Sequence, residues 1–154
     1  MEERRERLQR WRRMLALAVF IVGLGALLTQ CPANRDGMPG QLAQAMDETT
    51  VAARSGALAL DMWLQRRSTA QLTNVQLTDA RDEVVKAYKG IAELKAEDPV
   101  DIGRQRMLTE SMTTIIAQLN AASATIRHVA AQPTADQSRG DLQAAADALE
   151  SGYR

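Results

Sequence analysis

Apolar residues fall along this chain in two ways: one unbroken run near the amino end, then a series of stripes at helical spacing. The run covers residues 14–29, MLALAVFIVGLGALLT, and carries no charge. At ~1.5 Å per residue it extends about 24 Å, close to the lower limit of ~17 residues for a spanning helix. Trp11 can sit at headgroup level and Arg12 and Arg13 can snorkel, which lengthens the usable span. The pattern predicts a transmembrane signal anchor over 14–30, preceded by a basic tail over 1–13. Arg4, Arg5, Arg7, Arg10, Arg12 and Arg13 precede the run, and Arg35 alone lies soon after it. This bias orients the tail to the cytoplasm and everything beyond the span to the outside of the cytoplasmic membrane.

Residues 31–40, CPANRDGMPG, concentrate Pro, Gly, Asn and Asp and read as a flexible linker. Beyond it, stripes with alternating steps of three and four predict helices. The first runs from about Pro39 to Arg67 on Leu42, Met46, Thr49, Ala53, Gly56, Leu60 and Trp63. Its small central residues allow a neighbouring helix to approach closely. Continuing that stripe would turn Arg67 and Arg81 inward, so the helix ends near Arg67, although no Gly or Pro marks the break. Ser68-x-x-Gln71 offers a capping box for the next start, and Thr78 offers a later one. One continuous helix from Pro39 to Glu97 is the alternative.

The second stripe is Leu77, Ala80, Val84, Ala87, Ile91 and Leu94, with Asp82–Lys86 and Lys89–Glu93 spaced for ion pairs on its outer face. Asp98 followed by Pro99 is an N-cap and first-turn signal. A third helix follows to about Ala131 on Leu108, Met112, Ile115, Leu119, Ala122, Ile126 and Val129. Gln132-Pro133 ends it, and Thr134-x-x-Gln137 begins a short fourth helix, prone to fraying, on Leu142, Ala145, Ala146, Leu149 and Tyr153. No segment alternates with period two. The predicted fold class is all-α: an N-terminal transmembrane helix, then an antiparallel three- to four-helix bundle over 41–152.

Charge refines this picture. Lys plus Arg and Asp plus Glu are equal at 19 each, but the first thirteen residues hold six Arg against three Glu, so the remainder carries −3. A mildly acidic bundle lacks the basic face that nucleic acid requires. With 3% aromatic residues the core must be aliphatic and alanine-rich.

Candidate chemistry is sparse. Cys31 is the sole cysteine and excludes an intrachain disulfide. It remains a site for an interchain disulfide between two copies. Leu28-Thr29-Gln30-Cys31 also approximates a lipoprotein signal, with lipid on Cys31, but Gln30 stands where a small residue belongs. Cys31-Pro32-Ala33 is a poor match to a signal-peptidase site. His128 flanks the third stripe, too isolated to build a triad or metal centre. Asp79, Asp82, Glu83, Glu93 and Glu97 read as a solvated face, and no glycine-rich phosphate loop is present. The expectation is a non-catalytic protein with no cofactor and no metal. Trp63 is the candidate partner contact, the alternative being a plug at the end of the core.

The functional expectation is a single-pass membrane protein that displays a helical bundle and binds or scaffolds other envelope or membrane proteins. Self-association is compatible with it. Two alternatives are an accessory ligand-sensing bundle acting through a partner membrane protein, and a lipoprotein or spanin-like envelope protein. The chain is similar to the inner-membrane spanin of phages in size, N-terminal anchor and helical exterior. That last reading requires the continuous helix in order to reach across the envelope.

Overall fold

A computed structural model describes residues 37–153. The expected tail, span and most of the linker lie outside these residues, and with them Arg4, Arg5, Arg7, Arg10, Trp11, Arg12, Arg13 and Cys31. Four helices make up the described chain: α1 (Met38–Leu64), α2 (Ala70–Ala92), α3 (Pro99–Ile126) and α4 (Ala135–Tyr153). No strand occurs among the described residues, and none of their helices is long and apolar enough to cross a membrane.

Local chemistry accounts for the helix starts. Gly37 enters α1 at φ 84, in the left-handed region open to glycine, and Pro39 occupies the first turn, where its missing N–H removes no bond. The last three residues of the expected linker are therefore helical. The N-cap of α2 is Thr69, whose hydroxyl accepts from the Leu72 N–H at 3.2 Å. This displaces the expected Ser68 box by one residue, because Ser68 Oγ instead meets the buried Thr73 Oγ1 at 2.9 Å. Thr78 starts nothing: α2 runs through it, and its hydroxyl donates to the Asn74 carbonyl. At α3 the Asp98 carboxylate accepts from the Val100 N–H at 2.7 Å. Thr134 and Gln137 form the reciprocal box that opens α4, at 2.8 and 3.2 Å.

Two helix ends share a motif that the sequence conceals. After α1, Arg66 takes φ 58, its N–H donating to the Trp63 carbonyl and that of Arg67 to the Met62 carbonyl. After α3, His128 takes φ 58, with the matching bonds from His128 to Thr125 and from Val129 to Ala124. Glycine is the usual residue at such a left-handed stop. With Arg and His in its place neither stop carries a glycine signal: the first shows only in the phase of the α1 stripe, as expected near Arg67, and the second is silent in the sequence. The third helix thus ends at Ile126 rather than near Ala131, and Val129, assigned to its stripe, is 72% exposed. The continuous helix to Glu97 does not form either, since the chain reverses at 65–69.

The helices alternate in direction, with α1–α2, α2–α3, α3–α4 and α4–α1 as neighbours. Tyr153 at the end of α4 donates to the Pro39 carbonyl at the start of α1, at 3.4 Å. Its ring also lies 5.4 Å from the Arg104 guanidinium of α3. Gln105 of α3 donates to the Ile91 and Leu94 carbonyls at 2.6 and 3.0 Å, which ties the start of α3 to the end of α2. Ser123 of α3 donates to Asn74 Oδ1 of α2 at 2.6 Å. α4 covers the stretch expected of it and, at 19 residues, is the shortest of the four helices. Each fully buried leucine, such as Leu42, Leu108 or Leu142, contributes about 1.5–3 kcal/mol by leaving water.

The other contact is diagonal. α1 also touches α3, whereas the backbones of α2 and α4 stay more than 8 Å apart. Gly56 makes this approach possible. A Cβ built there would lie 2.6 Å from Leu119 Cδ2 of α3, 3.5 Å from Leu142 of α4 and 3.7 Å from Leu77 of α2.

Two stability predictions follow from these positions, each read by denaturant unfolding. Gly140→Ala, in a helix and with nothing within 4 Å of the added carbon, should stabilise by up to about 1 kcal/mol. Gly56→Ala should forfeit that gain, and Gly56→Leu should destabilise by about 3 kcal/mol through overpacking. At the left-handed stops, Arg66→Gly and His128→Gly should each stabilise by about 0.5–1 kcal/mol, relief of φ strain exceeding glycine's extra unfolded-state entropy. Lower stability in both glycine variants would refute that account.

Candidate functional site

The expected contact residue, Trp63, is half-buried against the core one turn before the chain reverses. Part of its side chain packs on the core at that end of the bundle and part stays accessible. The more exposed apolar surface lies on the flank of α1 facing α2. There Val51 and Leu58 are 63% and 61% exposed, far beyond any other large aliphatic residue in the middle of α1.

These two residues stand beside a groove of about 690 Å³ between α1 and α2. Ala52 and Ala59 of α1 and Ala80 of α2 lie at the contact between the helices. Their single methyl groups let the two backbones close but leave the space above them empty. Val51, Leu58 and Met62 form the wall on the α1 side. Glu48 stands at one end, and Asp79 and Glu83 line the α2 side, so an apolar trough has an acidic rim.

Neighbouring cations do little to neutralise that rim. The Arg54 guanidinium of α1 binds Asp147 at 3.1 Å and Glu150 at 2.7 Å on α4. Those carboxylates, Asp147 first, hold it above the ordinary arginine pKa, so its charge is committed to the other side of α1. Arg81 of α2 pairs with Asp82. Lys86 approaches Glu83 at 3.8 Å with both side chains well exposed, an arrangement that contributes little. The i,i+4 pair expected between Asp82 and Lys86 is thus replaced by these two contacts.

Asp79, Asp82, Glu83, Glu93 and Glu97 are all exposed, as their pattern predicts. Two of them, Asp79 and Glu83, also border an apolar trough, which their reading as a solvated face does not reveal. The signal was present: Glu48, Val51, Ser55, Leu58 and Met62 repeat with steps of three and four, a second stripe on α1 beside the core stripe. His128 is exposed beyond the end of α3. Among the described residues no group of three or more His, Cys, Asp or Glu is placed to hold a metal ion.

A smaller polar cleft of about 400 Å³ lies between α2 and α3, bordered by Arg81 and Arg127 over the Asn74–Ser123 hydrogen bond. Arg81 is engaged by Asp82, and Arg127 Nε donates to the Ser123 carbonyl. The α1–α2 groove is the better candidate, having apolar surface that the bundle itself does not use. No protein-family model, curated protein or solved structure matches this chain.

Proposed function

We propose that this chain is a single-pass membrane protein that holds a helical bundle outside the cytoplasmic membrane and acts by binding another envelope or membrane protein. One observation carries the binding part: the apolar groove between α1 and α2, with Val51 and Leu58 left in water beside it. Contiguous exposed apolar surface rimmed by polar groups is the mark of an interaction site. The uncharged run at 14–29 and the arginines before it support the placement.

The parts then have separate tasks. The anchor confines the protein to two dimensions and raises its effective concentration near membrane partners. Residues between the span and α1 supply reach, and the rigid bundle presents the groove. The spanin-like alternative needs the reach of a continuous helix, and the hairpin of α1 and α2 folds that length back on itself.

Placement is tested by expressing the full chain in bacteria, washing the membranes with alkaline carbonate and measuring the intact mass of the retained protein. The expected result is the full-length mass in the washed membrane, with protease added outside spheroplasts digesting the bundle. A species beginning at Cys31 with acyl mass would replace the anchor by a lipid. A bundle that resists protease until the cells are lysed, or a chain recovered in the wash, would overturn the proposed placement.

A further inference from the structure

The groove has the geometry of an unfilled helix-packing site. Its α1 wall repeats Glu48, Val51, Ser55, Leu58 and Met62 in steps of three and four, and its α2 wall answers with Gln76, Asp79 and Glu83 in the same alternation. Two adjacent helices offering such rows above a trough of alanines form the surface on which a third helix lays its apolar face. From Glu48 to Met62 the row extends about 21 Å at ~1.5 Å per residue, or roughly four turns.

Charge selects the occupant. Among the described residues neither Glu48 nor Asp79 has a cationic partner within ion-pairing distance, and Glu83 has only the loose contact with Lys86. Two copies meeting groove to groove would set these acids against themselves, because a two-fold contact apposes like patches. An anionic lipid surface meets the same repulsion. We propose that the groove receives a single amphipathic helix of another protein, about four turns long, with its apolar stripe flanked by lysine or arginine. Its aliphatic side chains fill the trough between Val51, Leu58 and Met62, and its cations face Glu48, Asp79 and Glu83. This inference rests on the reading of the bundle as a protein-binding module.

The test uses the full chain in nanodiscs of zwitterionic phosphatidylcholine and two labelled 16-residue probe peptides. Both peptides carry leucine and alanine at i, i+3, i+4 and i+7, one flanked by lysines and the other by glutamates. Fluorescence anisotropy, corrected with empty nanodiscs, should show the lysine peptide binding at least tenfold more tightly. Leu58→Asp should weaken it at least tenfold, and the double variant Asp79→Lys with Glu83→Lys should reverse the preference between peptides. These side chains are exposed, so thermal unfolding of the variants should match the parent.

Equal binding of the two peptides, no binding, or binding that survives Leu58→Asp overturns the proposal. So does sedimentation showing a dimer that Leu58→Asp dissolves, which would assign the groove to a second copy. The carbonate wash separates this inference from the placement beneath it. A chain retained in the membrane but indifferent to the peptides removes the basic helix and leaves membrane display standing. A chain lost in the wash that still discriminates the peptides supports the groove's occupant and removes the display.

Discussion

At Gly56 leucines from three other helices converge on a position that has no side chain of its own. Leu77, Leu119 and Leu142 come from α2, α3 and α4, and the space an added Cβ would take is already held by Leu119. Glycine inside a helix costs about 1 kcal/mol relative to alanine. Here that penalty allows α1 to sink along the diagonal until it touches α3, while α2 and α4 remain apart. The other small residues of the α1 core face, Ala45, Thr49, Ala53 and Ala57, extend the close approach along the helix. Even the buried Thr49 fits, because its hydroxyl donates to the Ala45 carbonyl one turn back and leaves no polar group unmet.

The same economy of side-chain volume shapes the outer surface. A helix that packs through alanine and glycine comes close to its neighbours but fills little of the space beside the contact. Between α1 and α2 that space is the groove, floored by alanines and walled by larger residues. Core packing and the candidate binding surface are therefore two faces of one choice, the use of small residues on α1. Elsewhere the bundle closes its seams with specific contacts: Gln105 on the end of α2, Ser123 on Asn74, and Tyr153 on Pro39. None of these reaches across the mouth of the groove.

Electrostatics gives the surface its direction. Arg54 could have balanced the acids of the groove, but Asp147 and Glu150 hold it on the far side of α1, where it ties α4 in place. Arg81 is held by its neighbour Asp82. These two arginines are thus engaged within the fold, and the carboxylates beside the trough keep most of their negative potential for an incoming group. Exposed pairs of this kind contribute little to stability, but opposed charges on a binding surface select partners and fix register.

Helical periodicity, the two prolines that open α1 and α3, and the caps at Asp98 and Thr134 are local properties, and the sequence alone determined them. The core stripes are legible for the same reason, since a 3.6-residue repeat places Leu108, Met112, Ile115, Leu119, Ala122 and Ile126 on one face before any partner exists. The stop at His128 was not legible, and the one at Arg66 only through the phase of the α1 stripe, because residues other than glycine adopt a left-handed conformation only when the surrounding fold compensates the strain. The chain did mark the row through Gly56 as the buried one, but it did not show that the second row would stay uncovered. That outcome belongs to the tertiary structure: three helices suffice to bury the row through Gly56, and after they have packed no described element is left to cover the row through Val51 and Leu58.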